Sequence, residues 1–149
     1  MDAPLSQLVA AVKAEAEAYS RWSDTIVAAG NALTEFDSTN PDHVNRAVST
    51  QNAHKDSSAA WCAAKQAVAG IARGAACPEA ARLHELLEAN HAAEGNYYDA
   101  LEEELLPAVR QRNAPYDHAA ACRQRAAMTG PHVQANAELD AYTADLRNM

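Results

Sequence analysis

His84, Glu88 and His91 are the residues whose types and spacing come closest to a chemical constellation. They stand at i, i+4 and i+7, so a helix carries all three on one face. Glu88-Ala89-Asn90-His91 reads as Glu-x-x-His, the pattern that di-iron helical bundles draw from paired helices. His54, thirty residues before His84, offers a fourth ligand. A metal-binding four-helix bundle built on His54, His84, Glu88 and His91 is therefore the alternative reading of this chain. It is not the leading one, because the second Glu-x-x-His is missing. No other histidine has an acid three residues before it, and no His-x-x-x-His occurs. The leading reading expects no cofactor.

Nucleophilic chemistry has less support. The chain holds no Gly-x-Ser-x-Gly, no phosphate-cradling loop and no Gly-x-Gly-x-x-Gly. Its six histidines are dispersed, with none placed by local sequence to activate Cys62, Cys77 or Cys122. Cys62 and Cys77 are expected to act as small buried hydrophobes. The expectation is a protein that is not an enzyme.

The elements that must position these residues follow from composition. Of the 149 residues 37 are alanine, whereas Leu, Ile, Val and Phe together number only 22. Alanine is the best helix former and loses no side-chain entropy. The expected fold class is all-α, with long antiparallel helices in a four-helix-bundle or coiled-coil-like arrangement and a thin core. Turn signals fall at Asp37-Ser38-Thr39-Asn40-Pro41, Gly74-Ala75-Ala76-Cys77-Pro78 and Asn113-Ala114-Pro115. Each ends in proline, which suits the first position of a helix. One domain over 1–149 is expected, with helices at about 4–36, 41–73, 78–112, 115–128 and 132–147. The last two are separated because Gly130-Pro131 should break the segment, and Pro107 should kink the third helix.

The hydrophobic spacing assigns faces. In the first helix Leu5, Leu8, Val12, Tyr19, Trp22, Ile26, Ala29, Leu33 and Phe36 form a coiled-coil-like seam, interrupted at Glu15. The second helix has Val44, Ala47, Trp61, Val68 and Ala72, with the polar Gln51, His54 and Ser58 between them. The third carries Leu83, Leu87, Asn90, Tyr97, Leu101 and Leu105, and the last carries Ala135, Leu139, Tyr142 and Leu146. The acidic run Asp99, Glu102, Glu103 and Glu104 reads as a solvated face.

Charge narrows the partners. The net charge of −8 without a basic cluster excludes a nucleic-acid surface and an anionic membrane surface, both of which need cations. No apolar run reaches the length of a membrane span. Met1-Asp2-Ala3-Pro4 lacks the basic and apolar regions of a secretory signal. Three cysteines without Cys-x-x-Cys fit a reduced setting, so a cytoplasmic location is expected. A core this poor in large aliphatics gains from self-association or from a helical partner. Tyr97 and Tyr98 cannot both face one core, because neighbouring helical residues point about 100° apart. Tyr98 is thus a candidate contact, and the expected partner is a protein with helical segments, alongside a homo-oligomer.

Three stretches resemble the FlgN-like family of flagellar export chaperones for hook-associated proteins. Leu5 to Phe36 leads into Asn31-Ala32-Leu33-Thr34-Glu35-Phe36-Asp37, Val44 to Gln51 is similar to the start of that family's second helix, and Leu86-Leu87-Glu88-Ala89-Asn90 precedes Pro115-Tyr116-Asp117. The resemblance implies a non-enzymatic chaperone that holds the terminal helices of a secretion substrate. Together with the stripe of the last helix, it makes Val133, Leu139, Tyr142 and Leu146 the expected contact. His118-Ala119-Ala120 stands where the family usually has a glycine, and 132–147 carries a helical stripe where the family's tail is commonly disordered.

Overall fold

The computed structural model describes residues 2–110 and 117–149, with the side chains of 106–110 outside the description. The described residues contain four helices and no strand, so the chain is all-α. The helices are α1 (Ala3–Thr34), α2 (Pro41–Gly74), α3 (Pro78–Arg110) and α4 (His118–Arg147). The expected turn at Asn113-Ala114-Pro115, the helix ends at 112 and 115, and the side chain of Pro107 lie outside the described residues.

Local chemistry sets the helix starts. The Asp2 carboxylate accepts from the Leu5 amide at 3.0 Å, Asn40 from Asp42 at 3.0 Å, and Asp117 from Ala120 at 2.9 Å. Each cap satisfies an amide that the first helical turn leaves without a partner. Pro4 and Pro41 stand in the first turns of α1 and α2. Between these two helices, Asp37 accepts from both the amide and the hydroxyl of Thr39, at 2.8 and 2.7 Å. The Thr39 hydroxyl and then its amide hold the Asp37 carboxyl below the usual carboxylate range. α2 ends on Ala75 in the left-handed conformation, with φ 46° and ψ 38°.

The chain divides into two compact units, Met1–Ala80 and Ala81–Met149. In the first, α1 and α2 run antiparallel, as the order of their paired residues shows. Glu35 pairs with Arg46 at 2.6 Å near the turn. Thr25 meets Ser57, and Glu15 meets Trp61 further along. The buried residues of the two helices are mostly small: Ala18, Ala29 and Ala32 on α1, and Ala47 and Ala72 on α2, with Leu8, Val9, Val12 and Val68 toward the other end. Alanine at a helix contact lets the backbones approach closely, and this offsets the scarcity of large aliphatics.

That alanine seam changes the face assigned to α1. Leu8, Val12 and Ala29 are buried as expected, but Tyr19, Ile26, Leu33 and Phe36 are exposed. Ala18, Thr25 and Ala32 lie inward instead, the two alanines buried and Thr25 half-buried. Spacing weighted by side-chain size follows the larger residues, whereas the contact with α2 takes Glu15, Trp22 and Thr25, with the small Ala18 and Ala32 buried along the same face of α1. On α2, Ala47, Val68 and Ala72 are buried, His54, Ser58 and Trp61 are half-buried, and Gln51 is exposed.

In the second unit α3 and α4 are also antiparallel. Tyr97 stacks on His132 with ring centroids 5.2 Å apart, and Glu104 meets Cys122 and Arg125. The same register places Leu83 level with Leu146, and both are fully buried. α4 is continuous from His118 to Arg147, so the break expected at Gly130-Pro131 is absent. Pro131 removes one amide donor and presses on the carbonyl four residues earlier. Pro131 and Ala127 are both exposed, so water can reach the freed carbonyl and the helix continues.

Candidate functional site

The contact between α1 and α2 holds a polar and aromatic cluster. Trp22 and Trp61 lie 4.7 Å apart between ring centroids, with Tyr19 5.1 Å from Trp61. The Trp61 indole N–H donates to Glu15 Oε1 at 2.6 Å, and Lys65 Nζ lies 4.1 Å from the Trp61 ring centroid. His54 belongs to this cluster, against Trp22 and with Nδ1 3.4 Å from the Thr25 hydroxyl. The Thr25 and Ser57 oxygens are 2.6 Å apart. A half-buried indole gains from a partner for its N–H, and Glu15, the polar gap in the α1 seam, supplies it.

Of the residues singled out for metal, His54 lies in the first unit, and His84, Glu88 and His91 form no converging group of ligand atoms in the second. His84 is half-buried on α3, whereas Glu88 and His91 are exposed. Among the described residues a different group does converge: Glu104 of α3 with His118 and Cys122 of α4, their ligand atoms all within 4.8 Å of one another. The Cys122 thiol donates to Glu104 Oε1 at 3.4 Å, and Cys122 Sγ is 3.4 Å from His118 Nε2. Arg125 Nε donates to the other oxygen, Oε2, of the same carboxylate. Glu104 is therefore not part of a solvated acidic face: its side chain is 12% exposed, while Asp99, Glu102 and Glu103 are exposed.

These contacts set the protonation of the group. The Arg125 hydrogen bond holds the Glu104 carboxyl below its ordinary range, assisted by the Cys122 thiol. Burial, and then donation to Glu104, push the Cys122 thiol above its ordinary value. The Arg125 guanidinium is raised by the same carboxylate. The expectation that no histidine is placed locally at a cysteine is corrected here: His118 stands at i−4 to Cys122 and meets its thiol, although that thiol is raised rather than activated. Glu104 joins them only through the register of α3 against α4.

The cysteines divide by environment. Cys77 is buried as expected, but Cys62 is exposed. Cys62 follows Trp61, so on a helix it points about 100° away from the residue that occupies the α1 contact.

The residues expected to bind a partner are also placed differently from one another. Val133 and Tyr98 are exposed, at 59% and 51%. Leu139 and Tyr142 are half-buried, and Leu146 is fully buried. Tyr98 stands edge-on to Tyr97, with centroids 5.5 Å apart. Another outward apolar row is one that the spacing assigned to the core: Tyr19, Ile26, Leu33 and Phe36 of α1 and its C-terminal turn. Val27 and Val48 add to the exposed aliphatics of the same unit. No helix among the described residues is long and apolar enough to cross a membrane. No family model, no curated protein and no solved structure matches this chain.

Proposed function

We propose that this protein is a non-enzymatic helical interaction module, an export chaperone or adaptor that holds helical segments of a partner protein. The observation that carries this reading is the outward apolar line of α1. Tyr19, Ile26 and Leu33 recur every seven residues, which keeps them on one side of a helix, and Ile26 and Leu33 are 42% and 56% exposed. An amphipathic partner helix offers the complementary row at i, i+3, i+4 and i+7. Water-exposed apolar area arranged as a line rather than singly marks an interaction surface. The resemblance to the FlgN-like chaperones supports a secretion substrate as that partner and the cytoplasm as the place of action. It does so with a changed contact, centred on α1 and with Leu146 left in the core.

The test is tagged capture from the native cell of the wild type and of the Ile26→Lys/Leu33→Lys double variant, with helicity compared by circular dichroism. Recovery of one protein at near-equal stoichiometry by the wild type, and its loss from a variant of unchanged helicity, supports the reading. Equal recovery by both, or recovery of no partner by either, overturns it. Sizing the two proteins alone separates a foreign partner from a second copy. A wild-type oligomer that the double variant dissolves assigns the stripe to self-association.

A further inference from the structure

We propose that Glu104, His118 and Cys122 form a binding site for one zinc-type divalent metal ion, independent of the apolar stripe on α1. The group combines the three donor types that zinc takes from proteins, namely thiolate, imidazole and carboxylate. Tetrahedral Zn(II), with bonds of about 2.3 Å to sulfur and about 2.0–2.1 Å to nitrogen or oxygen, holds neighbouring donors about 3.5 Å apart. Two edges of such a site are present: Cys122 Sγ is 3.4 Å from Glu104 Oε1 and 3.4 Å from His118 Nε2. The third edge, between carboxylate and imidazole, is within 4.8 Å.

Position and charge agree with the geometry. His118 and Cys122 share a face of α4 at i, i+4, and Glu104 comes from α3, so the ion would join the two helices. Arg125 donates to Oε2 of Glu104, while Oε1 accepts from the thiol. Such outer-shell partners orient the ligands of metal sites. A Cys122 thiolate and the Glu104 carboxylate supply two negative charges to a divalent cation, with Arg125 paired to the same carboxylate. The thiol proton now shared with Oε1 leaves to solvent as the sulfur–metal bond forms. Three protein ligands leave the fourth position of a tetrahedral ion to water or to a group from a partner.

The experiment is titration of Co(II), then Zn(II) in competition, into the full reduced chain with Cys62→Ser as background, which removes the exposed thiol. The expected result is about one equivalent bound, with a sulfur-to-cobalt charge-transfer band and the intense visible bands of a tetrahedral ion. Cys122→Ser should abolish the charge-transfer band. His118→Ala should retain it with affinity reduced by more than the roughly 10–100-fold that outer-shell changes cost, and Arg125→Gln should fall within that range. His84→Ala/His91→Ala should change nothing. Retained helicity in each variant shows that the fold is intact. The proposal is overturned by failure to bind at micromolar Co(II), by binding that Cys122→Ser or His118→Ala leaves unchanged, or by binding that the His84/His91 variant removes.

Discussion

Glu15 accepts the indole N–H of Trp61 at 2.6 Å across the contact between α1 and α2. A carboxylate that interrupts the apolar spacing of one helix is thereby the partner of the largest side chain on the other. The pair also fixes the register of the hairpin, since sliding either helix by one turn would separate the donor from its acceptor and leave the indole N–H without a partner.

That relationship predicts coupled losses. Glu15→Ala removes a hydrogen bond to a charged acceptor, which typically contributes about 1.5–3 kcal/mol. Trp61→Phe removes the same bond from the other side, together with some packing. The double variant should be less destabilised than the sum of the two, by more than about 0.5 kcal/mol. Urea unfolding followed by tryptophan fluorescence for Glu15→Ala, and by circular dichroism for all three, measures the difference. Strict additivity would show that the bond does not contribute in solution.

Leu146 provides a test between core and partner surface. It is fully buried, so Leu146→Ala should cost about 2–5 kcal/mol, the usual range for a buried leucine. Leu33→Ala, at an exposed position, should change stability by no more than about 0.5 kcal/mol. Thermal unfolding of the two variants side by side gives the comparison. A Leu146→Ala protein as stable as wild type would place this residue on an open surface after all.

Ala75 is the one non-glycine residue among the described ones with positive φ. The left-handed region costs an L-residue about 1–2 kcal/mol because its Cβ approaches the next carbonyl. Glycine carries no such penalty, though it has more unfolded-state entropy to lose. Ala75→Gly should therefore stabilise the chain by about 0.5–1 kcal/mol net, read as a rise in the midpoint of chemical unfolding with an unchanged slope. A lower midpoint would mean that this turn does not take the left-handed conformation.

Glu104 makes stability depend on pH in a defined direction. Its carboxyl is lowered in the folded chain by Arg125 and Cys122, so the unfolded chain binds the proton more tightly. The stabilisation is fully present above the ordinary carboxylate range, and it is lost as the pH falls through the lowered folded value. Glu104→Gln should be less stable than wild type at neutral pH, and the gap should close on acidification. Unfolding midpoints of both proteins across that range measure it. A gap that stays constant into acid would show that the ionised carboxylate is not the source.

The helical character of the chain and the starts of the first three helices were legible in the sequence. Alanine supplied helical propensity, and Pro4, Pro41 and Pro78 marked the first three starts, because first turns are made within a few residues of one another. Tertiary structure decided which face each helix buries. The contact with α2 takes Ala18 and Ala32 and leaves Ile26 and Leu33 outside, a choice set by how closely two backbones can approach rather than by the spacing of large side chains. It also carried α4 through Pro131, where exposure lets water reach the unpaired carbonyl. The Glu104–His118–Cys122 group depends on the same kind of information. His118 and Cys122 are joined by helical spacing, but Glu104 reaches them only because α3 and α4 pair in one particular register, which no local pattern encodes.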